Sequence, residues 1–161
     1  MNENDAIRKS VLESVENLPL SKLNAVPEGG GWSIMQILEH LYLMERSVTK
    51  SFAVSLAGNE KKEVSPKQIE MTTDRSTKVD APPFVIPEDA DISLDEMKKK
   101  LEQSRMEFIK VTGTASEEDL NQKSFRHPLF GDLSLKQWTR FVGLHEQRHL
   151  QQIEETKSRI Y

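Results

Sequence analysis

The sequence predicts an all-α fold, a four-helix bundle with a long crossover loop between its second and third helices. Three observations carry that prediction. Four stretches repeat apolar residues at the three- and four-residue spacing of one helix face, and none shows the alternation of a half-buried strand. Three of the four open on one capping signature, a Ser followed three residues later by Gln or Glu. Between the second and third helical patterns, residues 58–91 are proline-rich and aperiodic. A connection of that length lets the two helices run parallel.

The first pattern places Ile7, Val11, Val15 and Leu18 on one stripe, with charges and serines opposite, until Pro19 closes it. Residues 20–26 are expected to form a short turn. Gly29, Gly30 and Gly31 then give a flexible approach to the next helix; no GxxxxGK[ST] follows, so a phosphate loop is not indicated. Ser33 and Gln36 cap the second helix, which runs to about Leu56 and buries Ile34, Ile37, Leu38, Leu41, Val48 and Phe52. His40 and Met44 sit at the edge of that stripe, toward a neighbouring helix.

In the crossover, Pro66, Pro82, Pro83 and Pro87 interrupt any regular element, and Phe84-Val85-Ile86 is expected to dock on the bundle. Residues 61–63 are expected to be solvated and mobile. Ser93 and Glu96 open the third helix, whose stripe is Leu94, Met97, Leu101, Ser104, Phe108 and Val111, with Gly113 as its C-terminal cap. Lys98, Lys99 and Lys100 read as a solvated face. The stretch SFRHPLFGDLSLKQW reads as a loop carrying His127, with packing or surface hydrogen bonding as that residue's expected role and the mouth of a site as the alternative.

The fourth helix, residues 134–157, begins at Ser134 and Gln137. On it Leu135, Trp138, Val142, His145, His149 and Ile153 share one narrow stripe, while Arg140, Glu146, Arg148, Glu154 and Glu155 fall on its flanks or far side. Two imidazoles one turn apart on a buried face must each satisfy two ring nitrogens. They can also aim those nitrogens at one ion, with His40 supplying a third.

Composition sets limits around that site. The chain has 161 residues, enough for a single domain over 1–161. It has no cysteine, so thiolate metal sites, disulfides and a cysteine nucleophile of its own are excluded. A net charge of −4 gives no reason to expect nucleic acid, and no apolar run approaches a membrane span or a signal region. A cytoplasmic protein with no membrane partner is the expectation. HEQRH at 145–149 also matches the zincin letters HExxH, but Glu146 lies about 100° round the helix from His145.

WSIMQILEHLYLMERS, followed by HPLFGDLSLKQWTRFVGLHEQRHLQQI, resembles the DinB-like family of bacterial four-helix proteins. That family is related to bacillithiol- and mycothiol-dependent transferases. The resemblance covers most of the chain, least securely at 58–91. It implies an up-down-down-up bundle, a homodimer, and a divalent metal held by His40, His145 and His149. Three imidazoles suit a transition metal: zinc or nickel first, with iron or manganese as alternatives. They leave an open position, at which a small-molecule thiol or water is activated.

The function this implies is S-transfer from a low-molecular-weight thiol to a small electrophilic substrate. A metal-dependent hydrolase at the same site and a non-catalytic metal-binding bundle are the alternatives. No organic cofactor is indicated, no catalytic residue is assigned beyond the ligands, and Gln36, Glu39, Gln152 or backbone carbonyls are candidates to hold the outer imidazole nitrogens.

Overall fold

The caps set the helices. A computed structural model describes residues 2–88 and 92–160, so the last positions of the expected crossover, 89–91, lie outside the described residues. Helix α1 (Glu3–Val15) starts at Asn2, whose side chain accepts from the Asp5 amide. The turn expected after Pro19 is a single helical turn, α2 (Leu20–Leu23). Helix α3 (Ile34–Ala57) begins at the full Ser33–Gln36 capping box. Ser93 caps α4 (Leu94–Thr112), Ser116 caps the short α5 (Glu117–Gln122), and Ser134 caps α6 (Leu135–Lys157).

Side-chain pairing fixes the direction of each long helix. Asn4 reaches the Thr139 carbonyl, Arg8 reaches Glu146 and Lys157 reaches the Ser14 carbonyl, so numbers rise together and α1 and α6 run parallel. Glu39 pairs with Lys100 and Glu45 with Arg105, so α3 and α4 are also parallel. Arg8 meets the Leu101 carbonyl while Arg105 meets that of Asn4, which sets α1 against α4. The bundle is therefore up-down-down-up, as expected. Gly143, in the middle of α6, lets α1 approach: a Cβ there would collide with Asn4 Oδ1.

The core has two parts. One joins Val11, Val15, Leu23, Ile34, Leu38, Met97, Leu101 and Ile153; the other joins Val48, Phe52, Phe108, Leu133, Leu135, Trp138 and Phe141. Every residue of the expected α6 stripe is buried. No helix among the described residues is long and apolar enough to cross a membrane.

Two expectations change. The stretch read as a loop before α6 contains an antiparallel hairpin, β1 (Ser124–His127) and β2 (Gly131–Ser134), whose register pairs His127 with Gly131. Gly131, at φ +76°, closes its three-residue turn. The hairpin docks because Phe125 stacks on Trp138 at 4.2 Å and its carbonyl accepts from the indole N–H.

Second, Glu146, expected on a flank or the far side of the fourth helix, is buried against α1 and α4. It is 2% exposed and accepts from both Arg8 and Arg105, while Glu45, equally buried, accepts from both arginines and from Ser104. Two carboxylates and two guanidiniums thus tie all four long helices together with no net charge.

Candidate metal centre

Helix α3 contributes His40 and helix α6 contributes His145 and His149, all buried. The Nε2 atoms of His40 and His149 each lie 3.1 Å from Nε2 of His145. The three residues form a group whose ligand atoms all fall within 4.8 Å of one another.

The outer nitrogens say which way each ring is protonated. His40 Nδ1 lies 2.7 Å from the Val85 carbonyl oxygen, which can only accept, so Nδ1 carries the hydrogen. His149 Nδ1 lies 2.6 Å from the amide oxygen of Gln152 and is assigned the same tautomer. In the neutral rings, both Nε2 atoms then present lone pairs to His145. One N–H on His145 cannot align with two lone pairs at once, so protons alone leave the trio incompletely satisfied.

One cation between them could satisfy all three nitrogens. Metal–imidazole bonds are about 2.0–2.1 Å, and two of them meeting at roughly 95–100° hold their nitrogens about 3.1 Å apart. That is the spacing of both His145 pairs.

The electrostatics favour the ligating form. Burial holds the His40 imidazole below its ordinary value, against the opposing pull of its bond to Val85. Burial also pushes His149 down to about 3, with His40 adding to the shift. His145 lies well below its ordinary value for the same first reason, and then because of its two histidine neighbours. All three rings are neutral at pH 7, as a metal requires. Trp32, 4.9 Å from His40 between ring centres, and Phe141, 5.8 Å from His145, supply aromatic walls.

A profile of the DinB superfamily matches residues 3–153. The chain belongs to the DinB superfamily. It is 32% identical over 153 residues to the "Uncharacterized protein YuaE" of Bacillus subtilis (strain 168), covering 95% of this chain and 94% of that protein. Its fold is similar to that of TT2238, a four-helix bundle protein, with a TM-score of 0.65 at 20% identity over 95% of this chain and 94% of that one.

Within this DinB domain the three histidines singled out by periodicity come together. Of the candidate outer partners, Gln152 meets His149 and a backbone carbonyl, that of Val85, meets His40. Gln36 instead completes the α3 cap, and Glu39 pairs with Lys100.

His127 is not part of the trio. It sits among Phe130, Trp138 and Phe141, with Phe141 4.7 Å away between it and His145. Its Nδ1 accepts from the amides of Leu129 and Phe130, so it fastens the hairpin turn. The sequence reading counted backbone carbonyls among the candidates without singling out Val85, and it missed the buried ion network of Arg8, Glu45, Arg105 and Glu146. Glu45 could have been found one turn beyond Leu41, inside the apolar stripe of α3.

Proposed function

We propose that this DinB protein is a metal-dependent enzyme that transfers a low-molecular-weight thiol to a small electrophile. In this reading His40, His145 and His149 hold a divalent transition ion, zinc or nickel first and iron or manganese next. The observation that carries it is the convergence of three Nε2 atoms on one point. When bound, such an ion supplies Lewis acidity at its open position and favours the thiolate of a coordinated thiol. The chain's own part is to keep its rings neutral, through burial, and oriented, through Val85 and Gln152.

Glu146 supports thiol over water. Arg8 and Arg105 occupy both of its oxygens, so it is not free to act as the base that HExxH letters would suggest. Among the described residues no carboxylate belongs to the histidine group. Coordination ionises water, to a pKa of about 7, as well as a thiol, but hydrolysis gains further from a positioned base, and none belongs to this histidine group among the described residues. In the transfer the sulfur lone pair forms the new bond to the electrophilic atom, the thiol proton passes to solvent, and the leaving group departs with its bonding pair.

The test is metal analysis of protein purified without a histidine tag, joined to a thiol–electrophile panel read with and without added thiol. His145→Ala and His149→Ala should lose stoichiometric metal and conjugation together. Full metal content in both variants would overturn the site, and turnover indifferent to thiol would replace transfer with hydrolysis.

A further inference from the structure

The helices alone do not complete the environment of His40. Its outer nitrogen faces the segment 69–85, which has two 3₁₀ turns but no α-helix, runs along α6 and then crosses to α3. Just before it, Lys67 exchanges two hydrogen bonds with the Gln137 side chain, at 3.0 and 2.8 Å. The 3₁₀ turn Ile69–Thr73 buries Ile69 on the α6 side of the core.

Arg148 then fastens the chain: its guanidinium donates to the carbonyls of Thr72 at 3.1 Å, Asp74 at 2.6 Å and Thr77 at 2.7 Å. Arg75 pairs with Glu155 at 2.8 Å. The second 3₁₀ turn, Pro83–Val85, buries Val85 completely and sets its carbonyl on His40.

We propose that residues 69–85 form a strap that presents His40 to the metal centre, with Arg148 and Val85 as its positioning residues. The inference rests on the reading that the three histidines hold a cation. With the strap docked, the Val85 carbonyl takes the Nδ1 hydrogen and turns the Nε2 lone pair toward His145. With it undocked, that acceptor is gone, and the ring can exchange tautomers and rotate.

The fastening is selective. Three carbonyls on one guanidinium use the planar, many-donor geometry of arginine, which a lysine ammonium does not reproduce. Apart from Ile69 and Val85, broad apolar packing does not back it up, since Met71, Val79 and Phe84 are all exposed. Segments with few buried apolar contacts open more readily than the core that carries them. The Thr72 hydroxyl, buried with no hydrogen-bond partner among the described residues, adds a small cost to the docked form.

The experiment compares wild type with Arg148→Ala, Arg148→Lys and Val85→Ala. Ring-nitrogen NMR of ¹⁵N-histidine-labelled, metal-free protein reads the His40 tautomer, and cobalt(II) release to a chelator reads retention. The expected result is a single Nδ1–H tautomer in wild type and mixed tautomers at His40 in all three variants, with helical circular dichroism unchanged. Cobalt release should accelerate by about tenfold or more in each.

An unchanged His40 tautomer with release within about twofold of wild type, in Val85→Ala and in either Arg148 variant, would overturn the strap. Arg148→Lys tests the same fastening while keeping the charge, should the alanine variant fold poorly. Wild-type protein that takes up no cobalt would refute the metal reading instead, and the tautomer comparison would still decide the strap.

Discussion

Replacing Glu146 with Gln tests whether the buried ion network holds the bundle. The substitution keeps shape and volume but leaves Arg8, Arg105 and Glu45, all less than a tenth exposed, with a net charge of +1 that is offset only by the partly exposed Asp5, 3.5 Å from Arg105. Glu146 accepts one charge-assisted bond from each arginine, and each such bond contributes about 1.5–3 kcal/mol. The amide oxygen retains part of one of them, while the amide N–H₂ faces a guanidinium. Breaking a buried ion pair costs about 3–5 kcal/mol, so about 3 kcal/mol is the expected loss. For a chain of this size that lowers Tm by roughly 6–12 °C.

Urea titration followed by far-ultraviolet circular dichroism measures the loss directly, with an unchanged m-value showing that only stability moved. A loss below about 1 kcal/mol would show that water or relaxation compensates the charge and that the network is dispensable. A paired replacement, Arg8→Met with Glu146→Leu, removes one charge of each sign and leaves Arg105 facing Glu45. It should cost less than Glu146→Gln alone, because what is expensive is the uncompensated ion.

Three further outcomes follow from the geometry. Burial pushes His127 down to about 4, so it stays neutral in the fold while the unfolded chain protonates near 6.5; its stability contribution is full above that pH and lost as pH falls toward 4, worth about 3 kcal/mol before solvent screening and ~1–2 after it. His127→Asn should flatten that part of the pH–stability curve while still accepting from Leu129 and Phe130. Gly143→Ala displaces the Asn4 side chain and its 2.9 Å bond to Thr139, but gains about 1 kcal/mol of helix propensity, so its net effect on urea stability should stay within ~1 kcal/mol of zero and turn favourable in an Asn4→Ala background. Zinc at a hundred times its dissociation constant should add about 2.7 kcal/mol, a Tm rise of roughly 5–11 °C, and the rise should vanish in His149→Ala.

Much of this architecture was legible because helices announce themselves locally. Ser33, Ser93 and Ser134 each mark a helix start whose cap forms within three residues, and the stripes of α3 and α6 bury the residues that the 3.6-residue period selects. The histidines followed from the same period, since an imidazole in an apolar stripe needs partners wherever the stripe leads. The hairpin was not legible because its strands have four residues each, too short for alternation to stand out. Its stability comes from Trp138, thirteen residues from Phe125 in sequence, so the signal was tertiary.

Glu146 shows why a motif's letters and its geometry have to be read separately. One residue round from His145, it faces α1 and α4, where Arg8 and Arg105 are 138 and 41 residues away in sequence. Neither arginine is visible from HEQRH, and without them a buried carboxylate beside two histidines looks like a base. With them it becomes a neutralised cross-link, and the two faces of α6 divide the work: one locks the helices in register, the other aims His145 and His149 at His40. A shift of α6 by one turn would break both, since Glu146 and His149 would leave their partners together. The ion network and the histidine centre are therefore coupled through the rigidity of one helix, and their loss in Glu146→Gln should appear as weaker metal retention even where the bundle remains folded.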